Sequence, residues 1–233
     1  YRTALAAQAM VANMILASLG YQDCQVLIVD ELYFSGGLSR SPRGLAVRVA
    51  ATFNLSNDKR GTLDAVFAHL LEHAPTPKTI IPLALGAPYG EIKVNADKCT
   101  MCLACVGACP EGALADNPEQ PQLRFIESKC VQCGLCEKTC PESAITLTPR
   151  LNLLPEAKKP RVLNQAEIMA CTRCGKALGT KQLVESMISR LTGHSMFADP
   201  KALGRLRMCP DCRVIDLYSE EKPVDIRDLG SRK

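Results

Sequence analysis

The sequence has no tryptophan and few other aromatic residues, with five Tyr and five Phe among 233 residues. A small domain with so few large rings needs another source of core stability, and bound metal is one such source. The sequence also has no P-loop, no G-x-G-x-x-G fingerprint, no nucleophilic triad and no paired catalytic carboxylates, which argues against the common hydrolase and nucleotide-binding classes. The thirteen cysteines are therefore the main carriers of chemistry.

The formal net charge of +4, from 28 Lys and Arg against 24 Asp and Glu, counts every cysteine as neutral. A metal centre bound by four thiolates has a net charge of roughly −2. If twelve of the cysteines formed three such centres, the total would fall to about −2. The apparent basicity therefore gives little support to a nucleic-acid partner, and we expect none.

Residues 3–22 carry no charge, which raises the question of a membrane span or a signal peptide. Gln8 and Asn13 interrupt the stretch, which is rich in alanine, so we predict a buried helix of a soluble protein and no transmembrane segment. A single basic residue, Arg2, makes a poor signal-peptide start. Because the chain starts at Tyr1 without a methionine, we expect a fragment or a processed product.

Residues 1–90 alternate between helical and extended patterns, which predicts a small α/β domain with a parallel sheet. The loop Ser35–Arg43 follows the first predicted strand, where such sheets can bind phosphate. The predicted helices are Thr3–Leu19 and Gly61–His73, and the predicted strands are Gln25–Val29, Leu45–Phe53 and Thr79–Leu85.

Two cysteine motifs of the form C-x2-C-x2-C-x3-C-P follow this region, and every cysteine of the first recurs 31 positions later in the second. Apolar and charged flanking residues recur at the same offset, which indicates an internal duplication of a strand–loop–short helix–strand unit. Three cysteines at steps of three wind one tight loop around a cubane. Soft thiolates suit iron–sulfur clusters, and two copies in register disfavour disulfides or zinc. The motifs comprise Cys99, Cys102, Cys105 and Cys109, then Cys130, Cys133, Cys136 and Cys140.

Residues 91–149 thus resemble the bacterial 2[4Fe–4S] ferredoxin family, in which the fourth cysteine of each motif ligates the other cluster. The resemblance implies one-electron transfer through each cubane. It also implies a ligand set for each cluster: Cys99, Cys102, Cys105 and Cys140 for cluster one, and Cys130, Cys133, Cys136 and Cys109 for cluster two.

Two further C-x2-C pairs, Cys171/Cys174 and Cys209/Cys212, predict two knuckles whose four sulfurs face one metal. The segment Thr180–Met208 between the pairs looks helical, so an ordinary zinc ribbon is not expected. Structural Zn²⁺, a third iron–sulfur centre and unpaired thiols all remain open, with zinc favoured.

The whole chain resembles, more loosely, large iron–sulfur proteins of proteobacteria that accompany molybdenum- or tungsten-dependent formate dehydrogenases. The likeness rests on the Gly86–Gly90 segment, the first cluster motif and the Met-Cys-Pro-Asp-Cys-Arg ending around Cys209. Such proteins carry further cysteine motifs upstream, which fits a fragment that begins mid-chain. The resemblance suggests a redox-enzyme partner in a hetero-complex.

Together these patterns predict an α+β chain: a ferredoxin-type dicluster (βαβ)2 pseudo-repeat, preceded by a small α/β domain and followed by a helical four-cysteine unit. The expected divisions are 1–90, 91–149, a linker at 150–165, the four-cysteine unit at 166–220 and a tail at 221–233. The expected role is a cytoplasmic electron-transfer subunit, not catalytic alone. The alternatives are an iron–sulfur oxidoreductase that binds flavin or nucleotide through Ser35–Arg43, and a nucleic-acid module based on the four-cysteine unit.

Overall fold

The computed structural model describes residues 2–22, 24–28, 49–54 and 56–219. The chain divides into two compact units. The first unit comprises the described residues of 1–95 together with 104–115 and 124–163. The second comprises 96–103, 116–123 and the described residues from 164 onward. The loop Ser35–Arg43 and the predicted tail at 221–233 lie outside the described residues.

Two helices of the first unit, α1 (Arg2–Ser18) and α2 (Lys59–Glu72), confirm the predicted helical periodicity. Asp58 caps α2, since its carboxylate accepts a hydrogen bond from the Gly61 backbone N–H at 2.7 Å. The uncharged stretch of α1 buries Ile15 in a core that also contains Phe67 and Ile81. Among the described residues, no helix is long and apolar enough to cross a membrane.

The first sheet has the strand order β1-β5-β2, with β1 at Ile80–Pro82, β2 at Gly90–Val94 and β5 at Ile145–Asn152. Both pairings are antiparallel, with Ile81 opposite Leu151 and Ile92 opposite Leu147. The prediction of a parallel sheet in residues 1–90 is therefore wrong for the described residues. The one strand found there before Gly90 pairs with a segment that follows the cluster motifs.

Two predicted strands are not found where the structure describes them. Residues 25–28 and 49–53 form no strand, and Leu27 is 58% exposed. The side chain of Asn13 explains the first case. It accepts from the Val26 N–H at 2.7 Å and donates to the Val26 carbonyl at 3.1 Å, so this segment is held by a helix side chain rather than by a strand partner. Val29 and residues 45–48 lie outside the described residues.

Short elements follow the cysteine motifs, and they recur at the offset of the motifs. The helices α3 (Ala104–Gly107) and α4 (Leu135–Thr139) begin at matched positions of the repeat, as do the strands β3 (Leu114–Ala115) and β5. A second sheet has the order β3-β4-β6, with β4 at Gln122–Phe125 and β6 at Arg161–Gln165.

The segment 150–165, which we expected to be a linker, contains regular secondary structure. It contains the end of β5, a 3₁₀ turn at Pro155–Lys158 and β6. Leu151 and Ala157 are buried. The divisions between domains otherwise remain a prediction.

The second unit contains a hairpin, three α-helices and a 3₁₀ helix at Ser195–Phe197 among its described residues. The strands β7 (Ile168–Ala170) and β8 (Ala177–Thr180) pair antiparallel. The segment between the two cysteine pairs is mainly helical, as predicted. The helices α5 (Lys181–Leu191) and α6 (Pro200–Arg205) lie in this segment, and α7 (Pro210–Ser219) begins within the second cysteine pair.

Candidate metal centres

A cavity in the first unit brings together four cysteines from the two motifs. Cys109, Cys130, Cys133 and Cys136 all line it, and its other walls include apolar Leu114, Phe125 and Leu147. Cys109 is the last cysteine of the first motif, whereas the other three belong to the second. The fold thus gathers the four residues that the resemblance assigns to cluster two.

Two of the thiols in this cavity, those of Cys130 and Cys136, resist ionisation. Burial raises the pKa of Cys136 to about 11, and the neighbouring Cys130 and Cys133 add to the increase. Burial is also the main reason that the pKa of Cys130 is raised. A metal binds cysteine as the thiolate, so binding must release the thiol protons of these residues. The buried cavity therefore favours the thiolate form only when a bound cation balances its negative charge.

Backbone amides point at the sulfurs of both motifs. The Ala113 N–H donates to Cys109 Sγ and the Ala144 N–H to Cys140 Sγ, each at 3.3 Å. These two bonds lie at matched positions of the internal repeat. Hydrogen bonds of this kind stabilise thiolate ligands and tune the potential of an iron–sulfur cluster. The donor set, four thiols with amide support around one cavity, fits a [4Fe–4S] cluster.

The backbone of the two motifs also shares unusual conformations. A left-handed backbone in a residue other than glycine is costly, so its recurrence indicates a demand of the loop itself. Three pairs of matched positions have positive φ: Met101 (57°) with Gln132 (54°), Leu103 (59°) with Gly134 (78°), and Gly112 (57°) with Ser143 (48°).

The remaining ligand set, Cys99, Cys102, Cys105 and Cys140, stays a prediction. Cys99 and Cys102 belong to the second unit, and Cys105 and Cys140 to the first. Within the second unit, the loop that carries Cys99 and Cys102 is anchored by Thr180, whose hydroxyl donates to the Thr100 carbonyl at 2.9 Å in a buried contact.

The four-cysteine group of the second unit is much tighter. The sulfurs of Cys171, Cys174, Cys209 and Cys212 all lie within 4.8 Å of one another, and Cys174 Sγ is 3.6 Å from Cys209 Sγ. A tetrahedral metal with bonds of about 2.3 Å separates its thiolate sulfurs by about 3.8 Å. A cubane binds each sulfur on a different iron and therefore spreads them farther apart. The geometry fits a mononuclear ion.

Local structure shapes both knuckles. Gly175, with φ at 75°, turns the chain so that its N–H donates to the Cys171 carbonyl at 2.9 Å. The second pair lies at the start of α7, where Cys209 precedes Pro210. The Cys209 N–H donates to Cys171 Sγ at 3.2 Å, which links the two pairs. This is the support that a thiolate ligand needs.

Two of the four thiols have pKa values shifted in opposite directions. The Cys209 N–H is the main reason that the pKa of Cys171 is lowered to about 6. A hydrogen bond with Cys174, together with burial, raises the pKa of Cys212 to about 12. The group thus favours the thiolate form of Cys171 and the thiol form of Cys212, a difference that a bound dication would remove by holding both as thiolates.

A third group that could hold a metal lies on α2, where ligand atoms of His69, Glu72 and His73 fall within 4.8 Å of one another. Each ring already has one nitrogen at a backbone carbonyl: His69 Nε2 is 2.9 Å from Val49 O, and His73 Nδ1 is 3.1 Å from His69 O. Each ring keeps its other nitrogen for a ligand, but exposed acidic groups such as Glu72 are common on helix surfaces without a metal, and we assign none to this group.

Two residues other than cysteine contact the loop of the cluster-two cavity, and sequence reasoning missed both. Gln132 Nε2 donates to Cys130 Sγ at 3.4 Å. Arg60 donates to the carbonyls of Ser128 at 3.2 Å and Cys130 at 3.0 Å, and also to that of Pro88. Comparison of the two motifs could have flagged Gln132, since Met101 stands at the matched position. No sequence signal links Arg60 to a loop so far along the chain.

A network of ion pairs surrounds Glu127, which lies three residues before Cys130 in the sequence. Glu127 accepts from Arg150 Nε at 2.7 Å and Nη2 at 2.9 Å, and from Asn152 at 3.1 Å. Arg150 also pairs with Glu91 at 2.9 Å, and Glu91 with Arg161 at 3.2 Å. Burial alone would raise the pKa of Glu127, but these donors hold it below its usual value. The Glu127 carbonyl then accepts from the Cys130 N–H at 3.0 Å, so the network supports the cluster-two loop.

Comparison with known proteins identifies one region of the chain. Residues 91–141 match the family model described as a 4Fe-4S dicluster domain. No curated protein matches the chain. The matched region contains all eight cysteines of the two motifs, and the four-cysteine group lies outside it. The chain therefore carries a 4Fe-4S ferredoxin-type domain, which supports iron–sulfur electron transfer, together with a separate cysteine group suited to a metal ion.

Proposed function

We propose that this chain transfers electrons through two [4Fe–4S] clusters as the electron-transfer subunit of a larger oxidoreductase. The observation that carries the proposal is the cavity lined by Cys109, Cys130, Cys133 and Cys136, which joins the two motifs in the pattern of a dicluster ferredoxin. Two neighbouring clusters form a relay for single electrons.

The proposed ligands are the two crossed sets. Cluster one is held by Cys99, Cys102, Cys105 and Cys140, and cluster two by Cys130, Cys133, Cys136 and Cys109. Amide-to-sulfur bonds, positive φ angles and helix starts share the offset of the cysteines, which supports a (βαβ)2 pseudo-repeat around them. The clusters would supply the redox chemistry, while the chain holds the thiolates and donates N–H groups to the sulfurs.

The four-cysteine group holds structural zinc in this proposal. Sulfur spacing near that of a tetrahedral site favours one metal ion over a third cubane. Zinc has no redox chemistry of its own, so its role is to fix the second unit.

The proposed partner is a cytoplasmic redox enzyme, and the looser sequence resemblance suggests a molybdenum- or tungsten-dependent formate dehydrogenase. The chain would accept electrons from that enzyme or deliver them to it. The proposal predicts that the clusters become reduced when the partner turns over its substrate.

The first test is the iron, acid-labile sulfide and zinc content of anaerobically purified protein, with EPR of the reduced state. We expect about eight iron, eight sulfide and one zinc per chain, and two interacting S = ½ signals. About twelve iron without zinc would replace the zinc proposal by a third cluster. Iron near zero with oxidised cysteines would overturn the electron-transfer proposal.

A further inference from the structure

The surroundings of the second cluster contain two donors that sequence reasoning did not find. We propose that Arg60 and Gln132 are positioning residues that raise the reduction potential of this cluster. The inference rests on the proposed function, since it needs a cluster at Cys109, Cys130, Cys133 and Cys136.

Arg60 is held in place on several sides. Its guanidinium carbon lies 4.2 Å from the centre of the Tyr89 ring, a cation–π arrangement. The Tyr89 ring in turn meets Phe67 edge-on, with ring centres 5.8 Å apart. Arg60 follows Asp58, the residue that caps α2, so the backbone that carries it is also fixed. The side chain is therefore pre-organised.

The Arg60 guanidinium donates hydrogen bonds to three backbone carbonyls. Two of these carbonyls belong to the loop that enters the cluster cavity. Nη1 reaches Ser128 O at 3.2 Å, and Nη2 reaches Cys130 O at 3.0 Å. Nη2 also donates to Pro88 O. Cys130 is itself one of the four sulfur donors. The planar fork thus ties the first cysteine of the second motif to α2 and leaves a fixed positive charge beside it.

Gln132 acts on the sulfur itself. Its Nε2 lies 3.4 Å from Cys130 Sγ and 3.1 Å from Glu91 O, so the amide bridges the cysteine and strand β2. Gly90 leaves room for it, because a Cβ there would approach the Gln132 amide carbon to 2.5 Å. At the matched position of the first motif stands Met101, which has no side-chain N–H to donate.

The electrostatic consequence has a definite sign. Each electron makes a cluster more negative, so a nearby positive charge or N–H donor stabilises the reduced state and raises the potential. Because both donors contact Cys130, a ligand of cluster two, we expect the effect to fall on that cluster. The structure therefore couples the helix α2 to the electron affinity of cluster two.

The test is an EPR-monitored redox titration of the full chain. In the wild type both clusters are first counted by iron content and EPR, so failure of the proposed function shows before any variant is made. The variants Arg60→Met and Gln132→Met remove the charge and the sulfur donor, and Met is the residue that already occupies the position matched to Gln132. Lys158→Met is the control, because Lys158 lines the same cavity as Arg60 but pairs with Asp64 at 2.9 Å.

We expect Arg60→Met to lower the potential of one cluster, the one lost in Cys136→Ser. The expected change in the equilibrium constant for reduction is about tenfold, which equals about 59 mV for one electron. Gln132→Met should shift the same cluster in the same direction, and Lys158→Met should shift neither. Unchanged potentials in both Arg60→Met and Gln132→Met, or equal shifts of both clusters, would overturn the inference.

If Arg60→Met fails to fold, Arg60→Lys decides the matter. Lysine keeps the charge but cannot bind three carbonyls in one plane, so the loop should loosen. We expect cluster two of this variant to be lost to an iron chelator several-fold faster than in the wild type, with cluster one unaffected. Loss at the wild-type rate would overturn the role of Arg60.

Discussion

The sulfurs of Cys174 and Cys209 lie 3.6 Å apart, although the two residues are 35 positions apart in the sequence. That distance is close to the value of about 3.8 Å that a tetrahedral four-thiolate ion requires. The second unit thus holds its four sulfurs at the spacing of a single metal ion, and the consequences can be tested on the protein as purified.

The first prediction concerns the content of this site. The double variant Cys174→Ser/Cys209→Ser should lose its zinc, from about one ion per chain to near zero, and retain about eight iron. Elemental analysis of the anaerobic protein measures both metals. Cys24→Ser is the matched control, since Cys24 lies in the first unit and belongs to neither cysteine group; its metal content should equal that of the wild type. Iron that falls by about four with no change in zinc would contradict the assignment.

The second prediction tests the crossing of the fourth cysteines. Cys109 lines the same cavity as Cys136, although it belongs to the first motif. Cys109→Ser and Cys136→Ser should therefore damage the same cluster, with about four of eight iron atoms lost or that cluster converted to a three-iron form. EPR spectra of the two reduced variants should show the same surviving signal. Cys102→Ser should instead retain the EPR signal that Cys109→Ser and Cys136→Ser lose. If Cys109→Ser instead matched Cys102→Ser, the ligands would not cross.

Most residues of the candidate metal sites could be predicted from the sequence, because the spacing of cysteines along the chain is a local feature. Cysteine spacing fixes which sulfurs can meet within a loop, and the recurrence of that spacing shows that two loops have the same design. The C-x2-C pairs likewise predict a knuckle each, although a long helical segment separates them. Spacing alone could not choose between zinc and a cubane, because the distance between Cys174 and Cys209 is a tertiary property.

The N-terminal region shows why other predictions failed. An apolar run such as 25–28 has no local feature that reveals its partner, and here the partner is the Asn13 side chain rather than a strand. Strand β1 lies within a predicted strand, but it pairs with β5, on the far side of the cluster motifs in the sequence. The contact of Arg60 with the cluster-two loop could not be predicted for the same reason. An arginine on a helix surface looks ordinary until the carbonyls it binds are known.

The third prediction concerns Gly90, the first residue of β2. A Cβ at this position would come within 2.4 Å of Thr148 O and 2.5 Å of the Gln132 amide carbon, and the Thr148 backbone cannot move without disturbing β5. We expect Gly90→Ala to destabilise the fold by about 1–3 kcal/mol and to displace Gln132 from Cys130 Sγ. The midpoint of urea unfolding measures the loss of stability. The reduction potential of cluster two measures the displacement of Gln132.

The control for this variant is Gly204→Ala. Gly204 lies in α6, where a Cβ meets nothing within 4 Å, so alanine should be neutral or stabilising by up to about 1 kcal/mol. Equal unfolding midpoints for Gly90→Ala and the wild type would show that β2 and β5 can separate at little cost.

The fourth prediction concerns Glu127, whose carboxylate is 6% exposed and bound by Arg150 through two hydrogen bonds. Glu127→Gln keeps the size of the side chain but leaves Arg150 without its main counter-charge. Because one partner of a buried pair is lost, we expect the free energy of unfolding at pH 7 to fall by about 3 kcal/mol. The control Asp64→Asn breaks the more exposed pair with Lys158 and should cost less than about 1 kcal/mol.

The pH dependence of this effect has a definite sign. The folded pKa of Glu127 lies below its ordinary value, so the ion pair stabilises the protein above the unfolded pKa of about 4.3. That stabilisation disappears as the pH falls through the lowered folded pKa. The gap between wild type and Glu127→Gln should therefore be constant from pH 7 to about pH 5 and narrow below about pH 4. Urea unfolding midpoints across this range measure it under anaerobic conditions. If the difference in stability between wild type and Glu127→Gln instead widened on acidification, Glu127 would be protonated in the native protein. The network would then support the cluster-two loop without a negative charge on Glu127.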